Sequence, residues 1–478
     1  MAESVQADPK MTASTGKEIE PDDSQREVES ETIKGEILAA SEKHEVFQKT
    51  SKGVNFRTVG WIQASIIFLK VVFATGVLSI PGAMVSLGAV GGALSVIGWG
   101  LFNTYNAIVQ GDFRNAHPSC HTIADMAEVV GGTWMKELTN IVYLLAWVIA
   151  TGSGIVGVSV GLNALSHHAA CTVWWAFLAT VLVMAFASFR RFHQIGWLSW
   201  AGFWSIFIAV TIVVIAVTQL DRPAAAPQTG PFELGYYVTA SPTFVAGMTA
   251  SANIFVSSSG TSAFLPVIAE MRNPKDYKKA VFLCMGLVNA TYLAYSLVVY
   301  RWCGQWVANP SLGSAGQTVK MVSYGIGLIG LLVSAILFLH VAAKSLFVRI
   351  LRNTQHLQSN SMTHWAVWIG CIVGLGTIAF LLAQAVPVFN YLLALLGTVC
   401  FAPLAMILPG LFWLYDHGAW RTGGLKKAVI YYLHCGMILL GLFFFIGGTY
   451  ATITVIVDSY RSGGIGSAFS CADNSNSS

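Results

Sequence analysis

Residues 68–82 read FLKVVFATGVLSIPG, which places a lysine, a run of small residues with two glycines, and a proline inside what is otherwise a membrane helix. Pro81 removes one backbone N–H, while Gly76 and Gly82 weaken the adjoining turns, so a break is expected over residues 74–78. In lipid such a break strands polar backbone groups and is tolerated only where they face protein or a water-filled cavity. Alone, the stretch reads either as a binding site or as a kink that shapes packing.

Outward from it, 55% of the 478 residues are hydrophobic and only 10% charged, which excludes a soluble domain and identifies an all-α polytopic membrane protein. No basic run interleaved with aromatics points to nucleic acid. Residues 1–55 hold 12 of the 23 acidic residues and 7 Lys or Arg. They read as a disordered cytoplasmic tail, either a solubility segment or a regulatory one. In the regulatory reading, Lys34, Lys43, Lys49 and Lys52 offer sites for modification, and the tail binds regulatory or ubiquitination machinery.

The transporter-sized domain, 56–457, contains eleven apolar stretches, each near the roughly 20 residues that cross a bilayer. They fall near 57–85, 90–113, 136–165, 172–189, 195–219, 243–271, 280–303, 319–350, 364–383, 388–414 and 428–457. With the N-terminus inside, thirteen Lys and Arg fall at inner loops and helix ends against four at outer ones, which places the C-terminal tail, 458–478, outside. A sequon at 476–478 lies in that tail but is a poor acceptor so near the end. The eight cysteines are scattered singly, so no metal or redox centre is indicated. Cys171 and Cys303 fall at outer helix ends and are either a disulfide pair or free thiols.

The sixth stretch repeats the opening pattern. Residues 251–266, SANIFVSSSGTSAFLP, put a polar, glycine-containing patch at mid-membrane with a proline just beyond. If 57–219 and 243–414 are two repeats, with 428–457 as an added helix, the breaks occupy corresponding positions, as in inverted-repeat secondary transporters. Half-helix N-termini then offer N–H groups to a carboxylate, and freed carbonyls hold an ammonium. Together these demands describe an amino acid zwitterion.

The stretches FATGVLSIP, DFRNAHPSCHTIADMAEVVGG and FVSSSGTSAFLPVIAEMRNPKDYKKA resemble the amino acid/auxin permease family, most closely its fungal neutral and aromatic permeases of the methyltryptophan-resistance type. The resemblance runs from about residue 55 to 457. It implies a LeuT-type 5+5 inverted repeat with an eleventh helix, helices 1 and 6 broken, and proton-coupled import of neutral L-amino acids at the plasma membrane, with sodium a less favoured coupling ion and no cofactor. By position, Thr75, Gly76, Val77 and Leu78 meet the substrate carboxylate. Phe255, Val256 and Ser258 supply acceptors to the amine, and Phe255 gates the site from outside. The hydroxyls of Ser257, Ser258 and Ser259 serve either substrate or helix–helix hydrogen bonds. Residues 150–154, ATGSG, are candidates for the pocket wall.

No acidic residue falls at the expected pocket depth, which disfavours cationic substrates. An ionisable group inside a membrane is a functional candidate, so Lys70 is expected to meet helix 8 where relatives hold sodium, while His340 on that helix is either a proton carrier that titrates during transport or a core histidine hydrogen-bonding a carbonyl. Lys344 on the same helix is expected to snorkel to the cytoplasmic face. Glu270 is either an inner-gate acid, paired with Arg57 or Arg114, or an ordinary helix-end acid. A sensor of the same fold and a vacuolar exporter remain as alternatives. No constellation of an enzyme lies at one depth.

Overall fold

The computed structural model of the chain describes residues 59–73, 76–189, 192–351, 354, 356, 361–463 and 467–475, with the backbone alone over 192–197. The tail over 1–55, Arg57, Thr75 and the sequon lie outside the described residues.

Among the described residues, eight helices are long and apolar enough to cross a bilayer, a bent pair forms one further span, and Trp61–Val72 and Thr172–Ala187 are shorter apolar helices. Together they correspond to the eleven expected stretches. The elements are α1 (Trp61–Val72), α2 (Ile80–Ala116), α3 (Ile123–Ser166), α4 (Thr172–Ala187), α5 (Phe192–Val217), α6 (Phe244–Val256), α7 (Leu265–Glu270), α8 (Tyr277–Cys303), α9 (Gln317–Leu351), α10 (Met362–Ala385), α11 (Phe389–Leu395), α12 (Leu408–Asp416) and α13 (Leu425–Arg461).

Both anticipated breaks are present. The first span stops at Val72, makes a short 3-10 turn over Gly76–Leu78, and resumes at Ile80 with Pro81 in its first turn, where a missing N–H costs nothing. The sixth stops at Val256, passes through a 3-10 segment, Gly260–Phe264, and resumes as α7 with Pro266 in its first turn. Within α2 the first span turns directly into the second at Gly88, whose φ of 75° suits glycine. A Cβ there would also lie 2.8 Å from the Ala240 nitrogen, because the loop before α6 hydrogen-bonds Ala89 and Val90 through the carbonyls of Tyr237 and Val238.

Two features exceed the sequence expectation. The third span begins as a separate helical arm, because Thr122 and Asp125 form a capping box that starts α3 well before the membrane stretch, and Gly132 bends it. The tenth span is wound as π-helix over Leu396–Phe401 and Pro403–Ile407 between α11 and α12. Its misaligned carbonyls need partners: Asn106 and Gln110 of α2 donate to Ala405 and Leu404 at 2.6 and 3.0 Å.

One pairing is corrected. Cys171 is bonded to Cys471, whereas Cys303 is a buried free thiol facing the Ser314 carbonyl at 3.9 Å. The C-terminal segment is therefore an ordered strap. Asn474 bonds Asn163 and Ser159 of α3, and Lys320 of α9 donates to the Ser475 carbonyl at 2.6 Å. At the opposite end of the bundle, Val59 pairs in parallel with Met271, so the chain entering α1 is tied to the chain leaving α7.

Candidate functional site

The two breaks lie against each other at the centre of the bundle. A Cβ on Gly76 would sit 2.7 Å from the Ser257 Cα, so only glycine permits this approach. Ser257 Oγ lies 3.0 Å from the Gly76 carbonyl and 2.7 Å from that of Asn253, and Ser79 Oγ donates to Gly76 at 2.8 Å. Ser311, from the loop after α8, donates to the Leu78 carbonyl at 2.8 Å.

Beside this junction is a cavity of about 30 Å³, lined by Val71, Val72 and Gly76, by Trp147 and Ala150 of α3, by Val256, Ser257 and Gly260, by Phe338 of α9, and by Leu393, Leu396 and Phe401 of the tenth span. That volume holds about two waters, so the chamber is contracted and must widen to admit an amino acid. Among the described residues, its lining carries no charged side chain. Trp147 faces Phe338 at 5.5 Å and Phe401 at 6.0 Å between ring centroids, which makes the wall aromatic.

The expected site residues divide. Gly76, Val256 and Ser257 line the cavity, as does Ala150 of the anticipated wall, while Val77 and Leu78 are buried in the 3-10 turn beside it. Phe255, expected to close the site, points elsewhere: its ring packs between Trp99 of α2 and Phe444 of α13, at 5.1 and 5.2 Å. Its carbonyl and the Ser258 hydroxyl accept from Asn103 Nδ2 at 3.2 and 2.8 Å, so these two acceptors face α2. Ser259 Oγ makes only a local bond to the Val256 carbonyl at 3.3 Å. The reason is helical pitch: residues 255 and 258 sit on one face of the turn, and 256, 257 and 260 turn towards the cavity.

Lys70 is 2% exposed and joins α1 to α9. Its Nζ donates to Ser334 Oγ at 2.9 Å and to the Gly330 carbonyl at 3.5 Å. Gly202 of α5 leaves room for it, since a Cβ there would lie 3.0 Å from Lys70 Cε. His340 does not join this group. Six residues beyond Ser334, it is rotated by about 240° around α9. It faces the other way, with Nδ1 3.1 Å from the Ala187 carbonyl of α4 and its ring edge-on to Trp368 of α10.

Glu270 ends α7, its carbonyl accepting from Val59 N, and its carboxylate interacts electrostatically with Lys344 of α9. Arg57, one of the two partners foreseen for Glu270, lies outside the described residues. In the following loop Asp276, about 25% exposed, accepts hydrogen bonds from Lys279 and Asn273.

Sequence reasoning did not identify Trp147, Phe338 or Phe401. Trp147 was within reach of it, because it lies one turn before Ala150 on the same helix. The tenth-span residues had no such signal, since their orientation depends on the π-helical winding.

The sequence profile of a family described as transmembrane amino acid transporter protein matches residues 57–454. A transmembrane transporter of Gibberella moniliformis is 48% identical over 446 residues, covering 93% of each chain. One of Fusarium pseudograminearum is 45% identical over 438 residues, covering 92% of each. An N amino acid transport system protein of Neurospora crassa is 28% identical over 427 residues, covering 87% of this chain and 89% of that one. Among solved structures, a nucleobase-cation-symport-1 family transporter, closed around bromovinylhydantoin, superposes with a TM-score of 0.54 at 14% identity, covering 85% of this chain and 93% of that one. It shares the LeuT-type fold. The chain is therefore a member of the transmembrane amino acid transporter family.

Proposed function

We propose that the protein imports neutral L-amino acids, aliphatic and aromatic, across the plasma membrane by proton symport through alternating access. The observation that carries this reading is Lys70, a buried ammonium bridging the first span to α9. Among the described residues its partners are a hydroxyl and a carbonyl, so its charge is answered by dipoles alone. A side chain that holds two helices through such bonds loses that hold when its proton leaves, which links protonation to helix position.

Substrate class follows from the lining. An uncharged aromatic and aliphatic wall accepts apolar side chains, and a charged one there would lack a counter-charge. The amino acid transport named for the Neurospora crassa relative supports an amino acid as the substrate. The disulfide between Cys171 and Cys471 lies on the side that the positive-inside rule places outside, which supports an extracellular C-terminus at an oxidising surface. Glu270 and Lys344 stand at the other end and serve as the inner gate.

The test is uptake of radiolabelled phenylalanine into proteoliposomes under an inward proton gradient, a sodium gradient, or none. Accumulation is expected with protons alone. In Lys70→Ala, gradient-driven accumulation should fall at least about a hundredfold, consistent with loss of more than about 2.7 kcal/mol of coupling. An unchanged rate and pH profile in that variant would discard the coupling role.

A further inference from the structure

Tyr292 of α8 is 2% exposed, with its ring stacked on Phe73 at 5.7 Å. Its hydroxyl lies 2.9 Å from the carbonyl oxygen of Val72, the last residue of α1, and 3.1 Å from that of Ser257, the first residue beyond α6. Helix breaks released both carbonyls: neither is followed by a continuous α-helical turn that would supply its partner. One side chain from a third helix thus reaches both discontinuities. A hydroxyl has a single proton, so it donates to one of the two carbonyls at any moment.

A second tyrosine on the same face of α8 strengthens the arrangement. The Tyr295 hydroxyl donates to Ser311 Oγ at 2.8 Å, and Ser311 passes its own proton to the Leu78 carbonyl. Among the described residues, helix α8 therefore holds the first break at both of its ends, directly at Val72 and through Ser311 at Leu78, but it holds the sixth break only through Tyr292. Val72 and Ser257 also line the cavity, so the atoms under control belong to the chamber wall.

We propose that Tyr292 is a positioning residue for transport: by sharing one proton between Val72 and Ser257 it registers the first break against the sixth, so the two walls of the chamber close on the substrate together. The proposal rests on the amino acid transport reading. It makes the hydroxyl, rather than the ring, the group that matters, because the ring packs on Phe73 whether or not the proton is there.

The experiment compares the wild type with Tyr292→Phe, which keeps the ring and removes the hydroxyl. For phenylalanine uptake in proteoliposomes, KM should rise about tenfold while Vmax per molecule stays within about twofold, the size expected for one buried hydrogen bond. Hydrogen exchange of the substrate-free protein should show peptides covering 69–80 and 254–264 deprotected together by a factor of about three or more. An unchanged KM, or deprotection of one break alone, would overturn the proposal. So would a lowered melting temperature with both readouts unchanged, since that is a packing role only. If the wild type moves no amino acid, the transport reading fails, and hydrogen exchange still decides for or against Tyr292.

Discussion

The two broken spans solve the same problem differently. The first break has one hydroxyl of its own, Ser79 on the Gly76 carbonyl, and takes its other donors from elsewhere: Tyr292 serves Val72, Ser311 serves Leu78, and Ser257 lies against Gly76. The sixth break is rich in its own hydroxyls, with Ser257 bonding Asn253 and Ser259 bonding Val256, and it draws on α2 through Asn103 and on α8 through Tyr292. A break made of apolar residues and glycine depends on its neighbours, whereas one made of serines partly satisfies itself. The first should therefore be the more sensitive to change around it.

Gly76→Ala should have the largest effect. The added methyl meets backbone at 2.7 Å, which no rotamer relieves, so uptake should be lost, by more than about a hundredfold, with protein still present in the membrane. Uptake normalised to membrane-inserted protein decides it, and near-normal transport would mean the breaks do not touch in the working states. Asn103→Ala should act on stability more than on transport. It leaves the Phe255 carbonyl and Ser258 hydroxyl without their donor, a cost of about 1–3 kcal/mol. A melting temperature lower by roughly 2–8 °C in detergent is expected, with KM within about threefold. Were it as damaging to uptake as Gly76→Ala, the contrast between the breaks would collapse. Ser259→Ala should do least, within about 0.5 kcal/mol in thermal unfolding and about twofold in KM, because its one bond is local.

Lys70 and His340 show how far residue type carries the argument. Both are ionisable groups in membrane spans, and both were candidates for coupling, His340 with a carbonyl-bonded core histidine as its alternative reading. Lys70 reaches α9 because α1 crosses it at Ser334. His340 is turned towards α4 and α10 by the pitch of its own helix, and its carbonyl partner there is the ordinary fate of a core histidine. A helical wheel drawn from Ser334 would have separated the two, but Ser334 was not known to be the contact until the helices were packed. Phe255 shows the same dependence on packing. Its position in the sixth break was legible, and the direction of its ring was set by Trp99 and Phe444.

The amino acid sequence by itself determined what one segment can decide alone: eleven apolar stretches, two of them interrupted by glycine, serine and proline, and no acid at chamber depth. These are local consequences of hydrophobicity and of backbone hydrogen bonding in lipid. Tertiary structure alone decided which atoms at the breaks stay available. Tyr292 and Asn103 claim carbonyls from helices remote in sequence, and Trp147, Phe338 and Phe401 converge from three spans. It also joined Cys171 to Cys471 across 300 residues. The physical reason is that a hydrogen bond or ring contact between distant segments depends on the angle at which helices cross, and no periodicity within a helix records that angle.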